Sequence, residues 1–189
     1  MRLSLLIAAA LATAPAAAAD TAKMVEEGRQ VSAAFMKALA GELQREMKAG
    51  GPVQAIGVCK DEAPQIASEL SREHGYKISR VSLKTRNPVL GTPDAWEQKV
   101  LMEFDRKAAA GTDPKTLEAS EVVAEPTGKY FRYMKAIPVG EVCVACHGPA
   151  DKVADAVKAK LAQEYPHDRA LGYNVGQIRG AFTVKRPLE

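Results

Sequence analysis

The chain of 189 residues has only three cysteines, no internal repeat, no strong excess of one charge, and no apolar run after its first residues that approaches membrane length. Each absence removes a class. Three cysteines are too few for a disulfide-framed mini-protein, and an odd number leaves at least one thiol over. The formal net charge is +3, and Lys and Arg are spread along the sequence. No basic stripe of the kind that binds nucleic acid is present, so none is expected as a partner. A membrane helix needs about 20 apolar residues. The one candidate, Leu3 to Ala12, is too short, so no span is expected once it is removed.

That short run has another use. Arg2, the apolar stretch and Ala17-Ala18-Ala19-Asp20 form the n-region, h-region and A-x-A site of an export signal. Residues 1–19 are therefore expected to be a signal peptide, and residues 20–189 a single periplasmic domain. Loss of Arg2 lowers the charge by one.

Within the mature part stands Cys143-Val144-Ala145-Cys146-His147. C-x-x-C-H is the form of covalent c-type haem attachment. Two sulfurs one turn apart reach the same edge of a macrocycle, and the adjacent imidazole supplies an axial nitrogen. Gly148-Pro149 lets the chain turn away. C-x-x-C alone also occurs in zinc ribbons and redox dithiols. However, neighbouring residues such as Cys146 and His147 seldom reach one tetrahedral ion, which favours haem. The expected cofactor is one haem c, held through Cys143 and Cys146.

The rest of the chain reads as helices first and strands later. Val31, Phe35, Leu39, Leu43 and Met47 recur at i+4, predicting a long helix over residues 22–49 that ends at Gly50-Gly51-Pro52. Short helices are expected at 53–60 and 65–73, with a strand as the alternative for the first, and a strand at 76–83. Thr92-Pro93-Asp94 reads as a helix start with Thr92 as cap, and the helix should end near Gly111. Residues 121–125 and 129–137 form a predicted hairpin around Pro126-Thr127-Gly128. A helix over 151–164 and a half-buried strand over 178–185 complete the pattern. Short hairpin-linked strands with helices favour an α+β fold with an antiparallel sheet.

Residue chemistry leaves the sixth iron ligand open. Cys59 is a soft donor as thiolate, or a small buried hydrophobe. Met134, His74 and His167 are further candidates, as is an open position. Arg80, Lys84 and Arg86 could pair haem propionates, or simply be a solvated loop. Trp96, Tyr130, Arg132 and Tyr133 could line a pocket, although core packing suits the aromatics better.

Several stretches together carry a resemblance. Ala55 to Cys59, Ser82 to Pro88, Thr92 to Glu97, Cys143 to Gly148 and Ile178 to Phe182 resemble a family of exported bacterial and cyanobacterial single-haem c-type proteins. The resemblance implies a PAS-like fold: an antiparallel sheet with flanking helices and, here, the long N-terminal helix. It also implies axial ligation by His147 and Cys59. The function it suggests is a haem-based redox or diatomic-gas sensor, binding a gas such as NO or CO and signalling to a separate partner. A single-electron carrier is the alternative. An enzyme is not expected, because no positioned acid/base motif accompanies the haem site.

Overall fold

The computed structural model describes residues 14–188, and side chains from residue 20 onward. Most of the expected signal peptide therefore lies outside the described residues. No helix among them is long and apolar enough to cross a membrane. Helix α1 spans Ala14–Gly57. Within that span the first helix ends at Gly50-Gly51-Pro52, as expected, and a second helical segment starts there. Gly51 adopts φ 72°, a left-handed conformation that glycine takes without steric cost. Pro52 cannot donate a helical hydrogen bond, so it restarts the helix in a new direction.

A π-helical turn follows at Val58–Glu62, then α2 at Ala63–His74. Pro64 accounts for the wide turn. It has no N–H for the carbonyl four residues back, and its ring crowds that carbonyl. The Ala63 N–H instead reaches Val58 O, five residues back.

Four strands form one antiparallel sheet: β1 (Lys77–Val81), β2 (Glu118–Glu125), β3 (Gly128–Pro138) and β4 (Ile178–Leu188), in the order β1-β4-β3-β2. The β2–β3 hairpin is the one the sequence predicts, longer at both ends. Strand β4 differs from the half-buried strand expected. It is central, and every residue from Gly180 to Val184 is buried. On one face α1 lays Val31 and Phe35 against Phe182, Val184, Ile78 and Phe131. The Phe35 and Phe182 rings lie 4.9 Å apart. On the other face α4 (Ala95–Ala109) sets Leu101 and Phe104 against Val81, Met134, Ala136 and Ala181. Ala181 and Thr183 look like a solvent face in sequence only because they are small or polar. The Thr183 hydroxyl is buried and donates to Glu97 at 2.7 Å.

The α4 start is also displaced from the expected Thr92 cap. Asp94 is the N-cap, accepting from the Glu97 N–H at 2.9 Å, and Glu97 accepts from the Asp94 N–H at 2.9 Å. This reciprocal box satisfies two backbone donors that lack a helical partner. Between β1 and α4 lies the short α3 (Pro88–Gly91), capped by the Asn87 side chain. After β3 come α5 (Val144–His147) and α6 (Asp155–Glu164). Beyond its bend, α1 packs Ile56 onto Val153, Val157 and Leu161, of which the last two lie on α6, and onto Tyr165. The end of α1 and the chain around α5 are thereby fixed on the same side of the molecule.

Candidate functional site

Cys143 ends a 3₁₀ turn that follows β3, and Val144–His147 make one helical turn. Gly148 closes it, its N–H donating to Val144 O at 2.9 Å. A Cβ there would come within 2.5 Å of that carbonyl, so the tight exit requires glycine. The two cysteine side chains leave the turn into different surroundings. Cys143 packs against Val139, Ala170 and Tyr173, and Cys146 against the cluster of Ile56 and Tyr165. Burial pushes the Cys146 thiol above its ordinary value.

His147 is held by the irregular segment between α6 and β4. Its Nδ1 lies 2.7 Å from Ala170 O, so Nδ1 carries the proton and donates, leaving Nε2 as the acceptor, with Arg86 Nη1 3.5 Å away. The His147 carbonyl accepts from the Tyr173 N–H at 2.9 Å, and the Tyr173 ring meets the imidazole edge-on. Burial, then the neighbouring Arg179 and Arg86 guanidiniums, push the imidazole well below its ordinary range. It is therefore neutral at neutral pH, the form that binds metals.

Arg86 is buried at 7% exposure. Its Nε donates to Asp168 at 3.1 Å and its Nη2 to Cys146 O at 2.6 Å. Asp168 in turn accepts from the Ala170 N–H at 2.8 Å. The result is a closed clamp: Arg86 grips the motif backbone, Asp168 grips Arg86, and the same Asp168 fixes the residue whose carbonyl orients His147.

Cys59 occupies the π-helical turn, half-buried and without a disulfide partner. It lies within electrostatic range of Cys146, Arg80 and Tyr165. The structure thus gathers Cys59, Cys143, Cys146, His147 and Arg86, from three separate parts of the chain, into one neighbourhood. The other ligand candidates lie elsewhere. Met134 is fully buried in the α4-side core, His74 ends α2 beside Tyr76, and His167 is exposed. Lys84 bonds Leu171 O and sits over Tyr173. Trp96 and Arg132 belong to an ion-pair network with Glu121, Asp94, Glu97 and Glu125. Tyr133 donates to Glu118, and Tyr130 lies under Lys185.

Sequence reading missed Tyr165, Asp168, Ala170, Tyr173 and Arg179. All lie in a segment without periodicity or on a strand read only for its alternation. The donor set fits a haem: a neutral imidazole with its second nitrogen tied back, two thiols one turn apart, a third thiol nearby, apolar walls and several arginines. Among the described residues no three His, Cys, Asp or Glu side chains converge to enclose a bare ion, as a zinc site would require.

Fold and site together define an α+β domain with one four-stranded sheet and a C-x-x-C-H at its rim. The model of the Tll0287-like family matches residues 10–187, and the chain belongs to that family. Its fold is similar to that of the cyanobacterial heme-protein Tll0287, known from a crystal structure, with a TM-score of 0.64 and 23% identity over 90% of this chain and 96% of that one. A search of curated proteins gave no match.

Proposed function

We propose that the protein is a periplasmic monohaem c-type redox or diatomic-gas sensor, with iron between His147 and Cys59. Membership of the Tll0287-like family supports haem as the cofactor, as does the likeness in fold to a cyanobacterial heme-protein. Bound haem supplies a one-electron centre and a coordination position for NO or CO. Cys143 and Cys146 would hold it covalently, as thioethers to its two vinyl substituents. His147 donates from Nε2, its tautomer set by Ala170 O. Strengthening the Nδ1–H donor bond makes such an imidazole a better ligand.

The observation that carries the sensor reading is the position of Cys59 on a π-helical turn. Such turns are local irregularities found mainly at functional sites. Cys59 would hold the iron as a thiolate, a donor that favours the ferric over the ferrous state. The wide turn around Cys59 would let the chain absorb a change in that contact locally, for a separate signalling protein to read. Single-electron transfer to a periplasmic redox partner is the second reading. It is favoured by the exposure of Glu141 and Val142 beside the motif, which brings the site close to the surface.

The test is absorption and EPR spectroscopy of the purified protein beside Cys59→Ser, in both oxidation states. Low-spin thiolate features in the ferric wild type, lost in the variant and weakened on reduction, support the sensor. Identical spectra would exclude Cys59 as a ligand. Retention of both ligands on reduction, with fast electron exchange, would favour the carrier.

A further inference from the structure

Two arginines touch the His147 imidazole, Arg86 from the loop after β1 and Arg179 from β4, and Arg80 of β1 lies within electrostatic range of it. Their positions have distinct causes. The register of β3 with β4 passes from Ile137↔Gly180 to Pro138↔Ile178, leaving Arg179 as the extra residue of a bulge. A bulge re-aims a side chain relative to the strand's alternation. Arg179 consequently reaches the imidazole, its Nε 3.2 Å from Nδ1 and 3.4 Å from Nε2. Its Nη1 donates to Ser82 Oγ at 2.9 Å and Lys84 O at 3.2 Å. Arg80 lies over the Phe35 ring at 5.6 Å.

The charges do not balance. Arg86 has Asp168. Among the described residues, no carboxylate forms an ion pair or hydrogen bond with Arg80 or Arg179. Arginine does not lose its proton in proteins, and a charge partly withdrawn from water is better satisfied by an anion. Both residues are half-buried, and partial loss of water lowers the proton affinity of each guanidinium. Two positive charges therefore await two anions, and a forked guanidinium matches a carboxylate.

We infer that Arg80 and Arg179 are the binding groups for the two propionates of the haem, and that Arg86 is excluded from that role because Asp168 and the Cys146 carbonyl already use it. The assignment rests on the haem reading proposed for this site. It places the polar edge of the macrocycle toward the β1–β4 end of the sheet. The same guanidiniums also accept a free anion such as phosphate in principle, so the test must separate the two sources.

Resonance Raman spectra of the intact haem-loaded protein report the propionate bending modes directly. Arg80→Gln and Arg179→Gln should each shift these modes and make the reduction potential more negative, since removing a positive charge favours ferric iron. Arg80→Lys and Arg179→Lys should keep most of the potential while still moving the modes, because an ammonium lacks the fork. The Lys variants serve where a Gln variant does not accumulate. Lys84→Gln should leave the modes unchanged, and so should phosphate added to the wild type. Unshifted modes in both arginine positions would overturn the assignment, as would a shift with Lys84→Gln or with phosphate. A wild type that carries no covalent haem would instead sink the underlying haem reading.

Discussion

Removal of the Asp168 carboxylate tests the clamp most directly. In Asp168→Ala, Arg86 loses its Nε partner at 3.1 Å and the Ala170 N–H loses its acceptor at 2.8 Å. The Arg86 and Asp168 side chains are only 7% and 9% exposed, so solvent screening does little to soften the loss. Breaking a buried pair by removing one partner costs about 3–5 kcal/mol. Here Arg80 and Arg179 are close enough to repel the orphaned guanidinium, which argues for the upper half of that range. For a domain of this size each kcal/mol moves Tm by about 2–4 °C, so a loss of about 4 kcal/mol predicts a fall of roughly 8–16 °C. Asp168→Asn separates two contributions. Its amide oxygen can still accept from Ala170 but carries no charge, and about half the loss is expected. The assay is thermal unfolding of the wild type and both variants under one buffer. A Tm for Asp168→Ala within about 2 °C of wild type would refute the clamp, on the same scale. Equal losses in the two variants would show that charge alone matters and that the Ala170 cap is incidental.

Phe35→Ala removes a fully buried ring that touches Phe182, and a loss of about 3–5 kcal/mol is expected in chemical denaturation; a loss under about 1 kcal/mol would mean that α1 is not anchored to the sheet through this residue. Arg132→Met leaves Glu97 buried without its cation, 3.1 Å away in the wild type, and should destabilise, whereas adding Glu97→Gln should recover part of the loss; additive losses would contradict a shared network. The hydrogen bond from Arg29, acting against burial, holds Glu118 below the usual carboxylate range. A depressed carboxylate stabilises above its unfolded pKa of about 4.3 and loses that contribution as pH falls through the lower folded value. Glu118→Gln should therefore flatten the acid limb of the stability–pH curve below about pH 4, and an unchanged limb would show that the pair contributes nothing. Pro64→Ala restores an N–H facing Lys60 O and should convert the π-helical turn to α; unchanged thiolate features in the EPR spectrum would detach Cys59 ligation from that turn.

What the sequence reveals and what it hides have physical reasons. The i+4 stripe of Val31 and Phe35, the hairpin around Gly128 and the C-x-x-C-H are local patterns, and each appears where expected. The helix end at Gly51 and the restart at Pro52 are legible too, because glycine takes the left-handed conformation and proline suits a first turn. Not legible is where the second segment packs, because Ile56 meets Val157 and Leu161 about a hundred residues away in sequence. The β4 alternation misleads because Thr183 looks exposed until Glu97, from another element, meets its hydroxyl. Tyr165, Asp168 and Ala170 lie between elements; Tyr165 packs with Ile56, and Asp168 and Ala170 act through hydrogen bonds with Arg86 and His147, contacts that leave no periodic trace.

Two backbone irregularities then decide what the site can do. A regular α-helix through Val58–Glu62 would turn each following residue by about 100° relative to its π-helical position, because the π turn holds one residue more. A regular β4 would send Arg179 to the face that Ile178 does not share, and the bulge is what frees it from that rule. Pro64 accounts for the first. For the second, a Cβ at Gly180 would lie 2.3 Å from Val81 O, so the strand beside the bulge runs closer to β1 than any other residue type permits. Gly180→Ala therefore tests whether the bulge aims Arg179. The added methyl must push β4 away from β1, and the expected result is a shift in the propionate modes like that of Arg179→Gln, with the guanidinium still present. If Gly180→Ala folds with unshifted modes, Arg179 is aimed by its bonds to Ser82 and Lys84 alone, and the bulge is merely the way the strand ends.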